Sequence, residues 1–85
     1  MKSFNHTIKD QLGIHARPAG LLVKEANKFA SGITITKGEK KVDAKKIFAV
    51  MSLAAKHGDI VTLCAEGDDE DDAIAALQMF MDGNL

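Results

Sequence analysis

The sequence is poor in several residue types, and each shortage limits what the protein can be. Its 85 residues include one cysteine, one proline and four phenylalanines, with no tyrosine and no tryptophan. The single Cys64 cannot form an internal disulfide, and its alternating neighbours predict a small apolar strand residue. With few aromatic residues and a net charge of −1, the chain lacks the stacking surface and the basic footprint of a nucleic-acid-binding protein. We therefore expect no direct binding to nucleic acid.

Long hydrophobic runs are also missing. No segment approaches the roughly 20 apolar residues that a transmembrane helix needs, and the start MKSFNHTIK lacks the apolar stretch of a signal peptide. We therefore expect a cytoplasmic protein without direct membrane contact. The length, with 46% hydrophobic residues, suits a single domain over residues 1–85 with a modest core. We expect a monomer, although nothing in the sequence specifies the oligomeric state.

Four segments show strand patterns. Residues 2–8 alternate so that Phe4, His6 and Ile8 share one face, which predicts a half-buried strand. The segments ITIT and KKVDA flank the turn KGE and predict a β-hairpin. DIVTLCAEG alternates again and predicts a fourth strand.

Three other segments have helical periodicity. From Ala16 to Ala30 apolar residues recur at spacings of three and four, and Ser31 with Gly32 is a typical stop signal. AKKIFAVMSLAAKHGD predicts a second helix that ends at Gly58 and is apolar on nearly every side. DDEDDAIAALQMFM predicts a third, with a buried face that consists of Ala73, Ile74, Leu77, Phe80 and Met81.

The element order is therefore β-α-β-β-α-β-α. Short strands with one polar face are not stable alone, and amphipathic helices need a shared apolar surface. We predict an α+β open-faced two-layer sandwich, in which three helices cover one face of a four-stranded, mainly antiparallel sheet.

Two features that resemble metal sites have simpler explanations. The acidic run from Glu66 to Asp72 lacks the spacing of a calcium loop, and Asp68 or Asp69 can cap the last helix. His6 is predicted to be a hydrogen-bonded core or edge histidine. We expect no metal and no cofactor.

The stretch GIHARPAGLLVKEANKF places three unusual residues where a helix begins. If the helix starts at Ala16, His15 lies at the N-cap, next to backbone N–H groups that have no partner within the helix. The first turn of a helix tolerates Pro18, because its missing N–H costs little there. Arg17 supplies a guanidinium group that can bind phosphate oxygens. This end of the helix therefore favours the binding of an anion.

The same position favours a nucleophilic histidine. A helix N-terminus disfavours imidazolium by about 0.3 to 1 kcal/mol, so neutral imidazole should predominate at pH 7. A phosphoryl group on His15 would bring a charge of about −1.5 to −2 to the unpaired N–H groups and to Arg17. From these residues alone, a transient phosphohistidine and a structural N-cap histidine both remain possible.

GIHARPAGLLVKEANKF and the later VDAKKIFAVMSLAA together resemble the histidine-containing phosphocarrier (HPr) family of the bacterial phosphoenolpyruvate:sugar phosphotransferase system, and the likeness extends over the whole chain. The resemblance implies a carrier rather than an enzyme. It implies that enzyme I phosphorylates His15 on Nδ1, that Arg17 steadies the phosphate, and that the A domains of sugar-specific enzymes II receive it.

The resemblance also implies a partner surface, which we call the docking surface. Its members come from the first two helices and are Ala16, Pro18, Gly20, Val23, Lys24, Ile47, Phe48 and Met51. In this arrangement Val50, Leu53 and Ala54 face the sheet. The alternative is that all the large apolar residues of the second helix are core; we favour an exposed patch, because apolar clusters beside a reactive group mark transient interfaces.

One position departs from the family pattern. Many members have a serine before Ile47 that an ATP-dependent kinase phosphorylates, whereas this chain has Lys46. A lysine has a permanent positive charge that phosphorylation cannot switch. A regulatory or nitrogen-related phosphocarrier therefore remains an alternative to a sugar-uptake carrier. A further alternative is a non-catalytic interaction module in which His15 is only a cap residue.

Overall fold

The computed structural model describes all residues from Met1 to Leu85 and shows the seven predicted elements in the predicted order. They are β1 (Lys2–Thr7), α1 (Ala16–Ala26), β2 (Gly32–Lys37), β3 (Lys40–Asp43), α2 (Ile47–Ser52), β4 (Ile60–Glu66) and α3 (Glu70–Asn84). The turn of the β2–β3 hairpin consists of Gly38 and Glu39, and Gly38 has a φ of 60°, which glycine adopts without strain.

The strands form one four-stranded sheet in the order β1-β4-β2-β3, and every neighbouring pair is antiparallel. Alternation places Val61, Leu63 and Ala65 of β4 on the buried face. On the other face Thr62 is only partly buried, and its hydroxyl donates to Asn5 Oδ1 at 2.7 Å. One face of the sheet therefore carries the core and the other is open.

The helices cover the buried face of the sheet. Leu22 of α1, Val50 of α2 and Leu77 of α3 are fully buried in a single cluster of 18 apolar residues, together with Ile33 and Ile35 of β2. Burial of these side chains is the main source of stability for a sheet with one open face. The predicted open-faced α+β sandwich is confirmed.

Helix α1 is shorter than its periodicity predicts. It ends at Ala26, so the prediction of a helix that continues to Ala30 is wrong. The side-chain amide of Asn27 donates to the carbonyl oxygens of Val23 at 2.8 Å and of Lys45 at 3.2 Å. This contact with the segment before α2 fixes the chain where the helix stops, and Gly32 is the first residue of β2 rather than a helix cap.

Helix α2 is also shorter than predicted, since it ends at Ser52 instead of near Gly58. Ala54 has a φ of 52°, in the left-handed region, which turns the chain away from the helix axis. Two lysines from the hairpin bond the last carbonyl oxygens: Lys40 Nζ donates to Ser52 at 2.9 Å, and Lys37 Nζ donates to Leu53 at 3.3 Å. Cations at a helix C-terminus also complement its dipole.

This early turn changes which alanine is buried. Val50 and Leu53 are buried as predicted, but Ala54 is exposed and Ala55 is buried in its place. The predicted position of Ala54 on the sheet side is wrong, because the left-handed turn rotates the chain by more than a continuing helix would.

Substitution Ala54→Gly is expected to stabilise the protein by about 0.5 to 1 kcal/mol. The gain arises because an L-residue with a Cβ is strained at this φ, by about 1 to 2 kcal/mol, whereas glycine is not. Urea denaturation measures the change. The control Ala49→Gly, inside α2, should instead lower the free energy of unfolding by about 1 kcal/mol; equal destabilisation by both variants would contradict the prediction.

Helix α3 begins after Asp69, but the predicted side-chain cap does not form. The Asp69 carboxylate accepts hydrogen bonds from the backbone N–H groups of Ala30 and Ser31, each at 2.9 Å, and from the Ser31 hydroxyl. The Ser31 hydroxyl, followed by the Ala30 N–H, lowers the pKa of Asp69. Asp69 therefore fastens the segment after α1 to the start of α3.

His6 is buried at the edge of the core, but its predicted hydrogen bond is absent. Its Nδ1 lies 3.6 Å from Asp82 Oδ1, beyond hydrogen-bond distance, and its Nε2 has no partner. Nowhere in the chain do three or more His, Cys, Asp or Glu side chains converge as metal ligands would. No helix has both the length and the apolar character that a bilayer crossing requires.

Candidate functional site

His15 is the N-cap residue of α1, as the sequence predicts. Its backbone is extended, with φ −99° and ψ −177°, and its side chain makes no capping hydrogen bond. The side chain is 38% exposed. The ring is therefore accessible, and it does not perform the capping role that a purely structural residue would have at this position.

Helix α1 starts with unpaired backbone donors. The N–H groups of Ala16 and Arg17 donate to no acceptor of the chain, and the first helical bond runs from Ala19 N–H to the His15 carbonyl at 2.9 Å. Pro18, in between, has no N–H to leave unpaired. Two open donors and the positive end of the helix dipole therefore follow the histidine directly, and together they stabilise an anion.

Arg17 adds a cation to this end of the helix. The residue is exposed, and its guanidinium takes part in none of the chain's hydrogen bonds or ion pairs. It lines the same cleft as His15. A guanidinium with no internal partner remains available to bind two oxygens of a phosphoryl group at once.

The two residues belong to an open cleft of about 250 Å³. Its lining residues are Asp10, His15, Arg17, Pro18, Leu21 and Asn84. Sequence reasoning missed Asp10, Leu21 and Asn84. Asp10 precedes the histidine by five residues in a glycine-containing loop, a proximity that could have been noticed, whereas only the fold brings Asn84 of α3 to this cleft.

Gly13 sets the course of the loop that carries His15. It has a φ of 69°, and a Cβ at this position would lie 2.2 Å from the Ala55 carbonyl oxygen. The same oxygen accepts the Ile14 N–H at 2.9 Å, and the Gly13 N–H donates to the Asp10 carbonyl at 3.0 Å. The loop thus packs backbone against backbone just before the histidine, and only glycine fits there.

The docking surface is partly apolar and exposed. Phe48 is 83% exposed and Met51 is 37% exposed, while Ile47 is half-buried and packs near α1, with its Cδ1 3.6 Å from an ideal Cβ on Gly20. The alternative of an all-core α2 is therefore wrong. In α1, Ala16 and Lys24 are exposed, Gly20 and Val23 are half-buried, and Pro18 is buried.

Comparison with known proteins identifies the family. The family profile described as "PTS HPr component phosphorylation site" matches residues 2–82, nearly the whole chain. The chain belongs to the HPr phosphocarrier family. The matched span contains both His15 and the docking surface, so the predicted resemblance is confirmed.

Named relatives of two kinds occur within the HPr family. The phosphocarrier protein HPr of Mycoplasma capricolum is 47% identical over 95% of this chain and 91% of its own length. The HPr-like protein Crh of Halalkalibacterium halodurans is 49% identical over 88% of this chain and 89% of its own length. Sequence identity alone therefore does not distinguish the two kinds.

Solved HPr structures have the same fold. A crystal structure of HPr from Thermoanaerobacter tengcongensis matches with a TM-score of 0.93 and 48% identity, covering 98% of this chain and 93% of the other. A second structure, of the HPr dimer from the same organism, matches with a TM-score of 0.78 and 48% identity, covering 98% of this chain and 95% of the other. An HPr chain can therefore be found as a dimer.

Proposed function

We propose that this protein is a phosphocarrier that accepts a phosphoryl group on His15 from enzyme I. It then passes the group to the A domains of sugar-specific enzymes II during phosphoenolpyruvate-dependent sugar uptake in the cytoplasm. The observation that carries the proposal is the exposed His15 ring at the start of α1, beside two unpaired N–H groups and the free Arg17 guanidinium. The protein itself turns over no substrate and uses no cofactor.

The site is suited to a phosphoryl group that is bound only transiently. The cleft is open, so a partner can present the donor atom directly to the His15 ring. Backbone N–H groups and one guanidinium stabilise the incoming negative charge through partially exposed contacts, without enclosing it. A phosphoryl group held in this way is stabilised enough to persist between partners and accessible enough to transfer again.

The docking surface supports protein partners rather than small molecules. Phe48 and Met51 expose apolar area on α2, and the exposed Lys24 and Lys46 add positive charge around it. An apolar centre with a charged rim is typical of a transient protein interface. We therefore propose that enzyme I and the enzyme II A domains, with apolar contacts and acidic rims, each dock here on a monomer of this chain.

Incubation with enzyme I, phosphoenolpyruvate and magnesium tests the proposal. We expect the mass of the protein to increase by one phosphoryl group, and fragment masses to place the group on His15. No increase with an enzyme I that phosphorylates a known HPr would reject the proposal.

A regulatory phosphocarrier is the second candidate. Lys46 occupies the position of the family's phosphorylated serine, and an HPr-like protein Crh is 49% identical to this chain. The chemistry at His15 would be the same, but the recipient would not be a sugar-specific A domain. Competition assays separate the candidates, because a regulatory carrier should fail to phosphorylate these A domains.

Substitution Phe48→Asp is expected to weaken docking on enzyme I by at least about tenfold, measured as an increase in KM, with kcat nearly unchanged. The physical reason is that a carboxylate replaces the centre of an apolar contact. The free energy of unfolding should change by less than about 0.5 kcal/mol, because Phe48 is exposed.

Met79→Asp provides the matched control for Phe48→Asp. Met79 is a 78% exposed apolar residue of α3 that lies outside the docking surface. The substitution adds the same negative charge, and the KM of enzyme I for this variant should stay at the wild-type value. Equal weakening in both variants would show that negative charge alone, and not the docking surface, determines the affinity.

A further inference from the structure

The cleft contains one acidic side chain that the proposed function leaves without a role. Asp10 lies in the loop between β1 and α1, and its Oδ1 is 3.8 Å from His15 Nε2. Asp10 is the only carboxylate residue that lines the cleft. A negative charge at an anion-binding site opposes binding of the anion, so the position of Asp10 requires an explanation.

The Asp10 side chain is held in place by its own loop. Its Oδ1 accepts the Leu12 N–H at 2.8 Å, and its backbone carbonyl accepts the Gly13 N–H at 3.0 Å. The side chain is only 29% exposed. The carboxylate is therefore fixed before any partner arrives, and it faces a defined ring nitrogen of the histidine.

We propose that Asp10 is a positioning residue that keeps a proton on His15 Nε2 and so leaves Nδ1 free as the nucleophile; this role rests on the proposed phosphocarrier function. A neutral imidazole has one N–H and one lone pair, and a carboxylate can only accept a hydrogen bond. The tautomer with its proton on Nε2 is therefore favoured beside Asp10. At 3.8 Å the two atoms are too far apart for a hydrogen bond, so Asp10 acts on the ring through its negative charge, which attracts the N–H of the ring.

Asp10 also stabilises the charge that phosphorylation creates on the ring. The Nδ1 lone pair forms the new bond to phosphorus, while the bond between phosphorus and the donor atom breaks and its electron pair stays with the donor. The ring is left cationic with its proton on Nε2, next to the carboxylate. The open N–H groups and Arg17 repel a positively charged ring. The Asp10 carboxylate partly cancels this repulsion, because it lies near the ring nitrogen that carries the proton.

Nitrogen NMR of the His15 ring in the unphosphorylated protein tests this role without any partner. Wild-type protein should show mainly the Nε2–H tautomer at a pH where the ring is neutral. Asp10→Asn still accepts the Leu12 N–H but also offers a donor to Nε2, so the ratio of Nε2–H to Nδ1–H tautomers should fall about two- to fivefold. The rate of phosphorylation by enzyme I should fall by a similar factor.

Two further variants make the outcome decisive. Asp10→Glu retains the carboxylate and should restore part of the tautomer ratio, whereas Glu39→Gln removes a negative charge in the β2–β3 turn and should change neither measurement. An unchanged tautomer ratio in Asp10→Asn overturns the role of Asp10, even if the wild-type protein is phosphorylated. A different result is that the wild-type protein is not phosphorylated but the tautomer ratio shifts in Asp10→Asn. This result rejects the proposed function, and it establishes the contact between Asp10 and His15.

Discussion

Replacing His15 by asparagine is expected to abolish phosphorylation of the protein by enzyme I and to leave its fold intact. Asparagine has no ring nitrogen that can attack phosphorus, so no phosphoryl group can be added at this position. It is among the best N-cap residues, and the His15 side chain makes no capping bond that could be lost. The free energy of unfolding should therefore be unchanged or higher by up to about 1 kcal/mol.

Mass spectrometry after incubation with enzyme I and phosphoenolpyruvate measures the first effect, and urea denaturation measures the second. His57→Asn is the matched control, because His57 is also exposed and its Nδ1 is 3.1 Å from the Lys9 carbonyl, outside the cleft. This variant should be phosphorylated at the wild-type rate. A phosphoryl group on the His15→Asn protein would mean that His15 is only a cap residue and that the chain is an interaction module.

Substitution Gly13→Ala is expected to cause the largest loss of stability, about 2 to 5 kcal/mol. Two costs combine at this position. A side chain at a φ of 69° is strained, and its Cβ would lie 2.2 Å from the Ala55 oxygen and 2.8 Å from Lys56 Cα. These neighbours are backbone atoms, so they cannot move aside as a flexible side chain would. A small domain has only about 5 to 15 kcal/mol of stability in total.

Gly38→Ala separates the two costs of Gly13→Ala. Gly38 has a similar φ of 60°, but a Cβ there has no atom within 4 Å. In urea denaturation, the free energy of unfolding of Gly38→Ala should therefore fall by about 1 kcal/mol, from the backbone conformation alone. If both variants lost the same stability, close packing of the loop on Ala55 would not be the cause.

Gly13→Ala should also slow phosphorylation in the fraction that stays folded. The loop must move to accommodate the Cβ, and the Ile14 N–H bond to Ala55 that fixes the residue before His15 must lengthen. His15 would then leave its position above the helix start. Small displacements of a reacting group cost large factors in rate.

The strands were predictable because their signal is local. Val61, Leu63 and Ala65 alternate with more polar residues, and all three are fully buried in β4. A period of two has only one structural interpretation in a half-buried sheet. The strand order β1-β4-β2-β3 was not predicted, because it pairs strands that are distant along the chain and periodicity within one strand does not specify its neighbours.

The helix ends were not predictable in the same way. Helix α1 stops at Ala26 because Asn27 reaches the Lys45 carbonyl, and α2 stops at Ser52, where Lys37 and Lys40 reach its last carbonyl oxygens. Each of these contacts joins segments at least 12 residues apart. Periodicity within one segment contains no information about them.

The chemistry at the start of α1 was predictable from the sequence alone. An N-cap position, a proline without an N–H and an adjacent arginine are neighbours along the chain, so His15, Pro18 and Arg17 come together as soon as the first turn forms. The surroundings of that turn depend on how the helices and strands pack together. This packing leaves Phe48 exposed although α2 is apolar on nearly every side, and it places Asn84 at the cleft. The reason is that burial depends on which elements pack together, and helical periodicity alone does not specify the neighbours of each face.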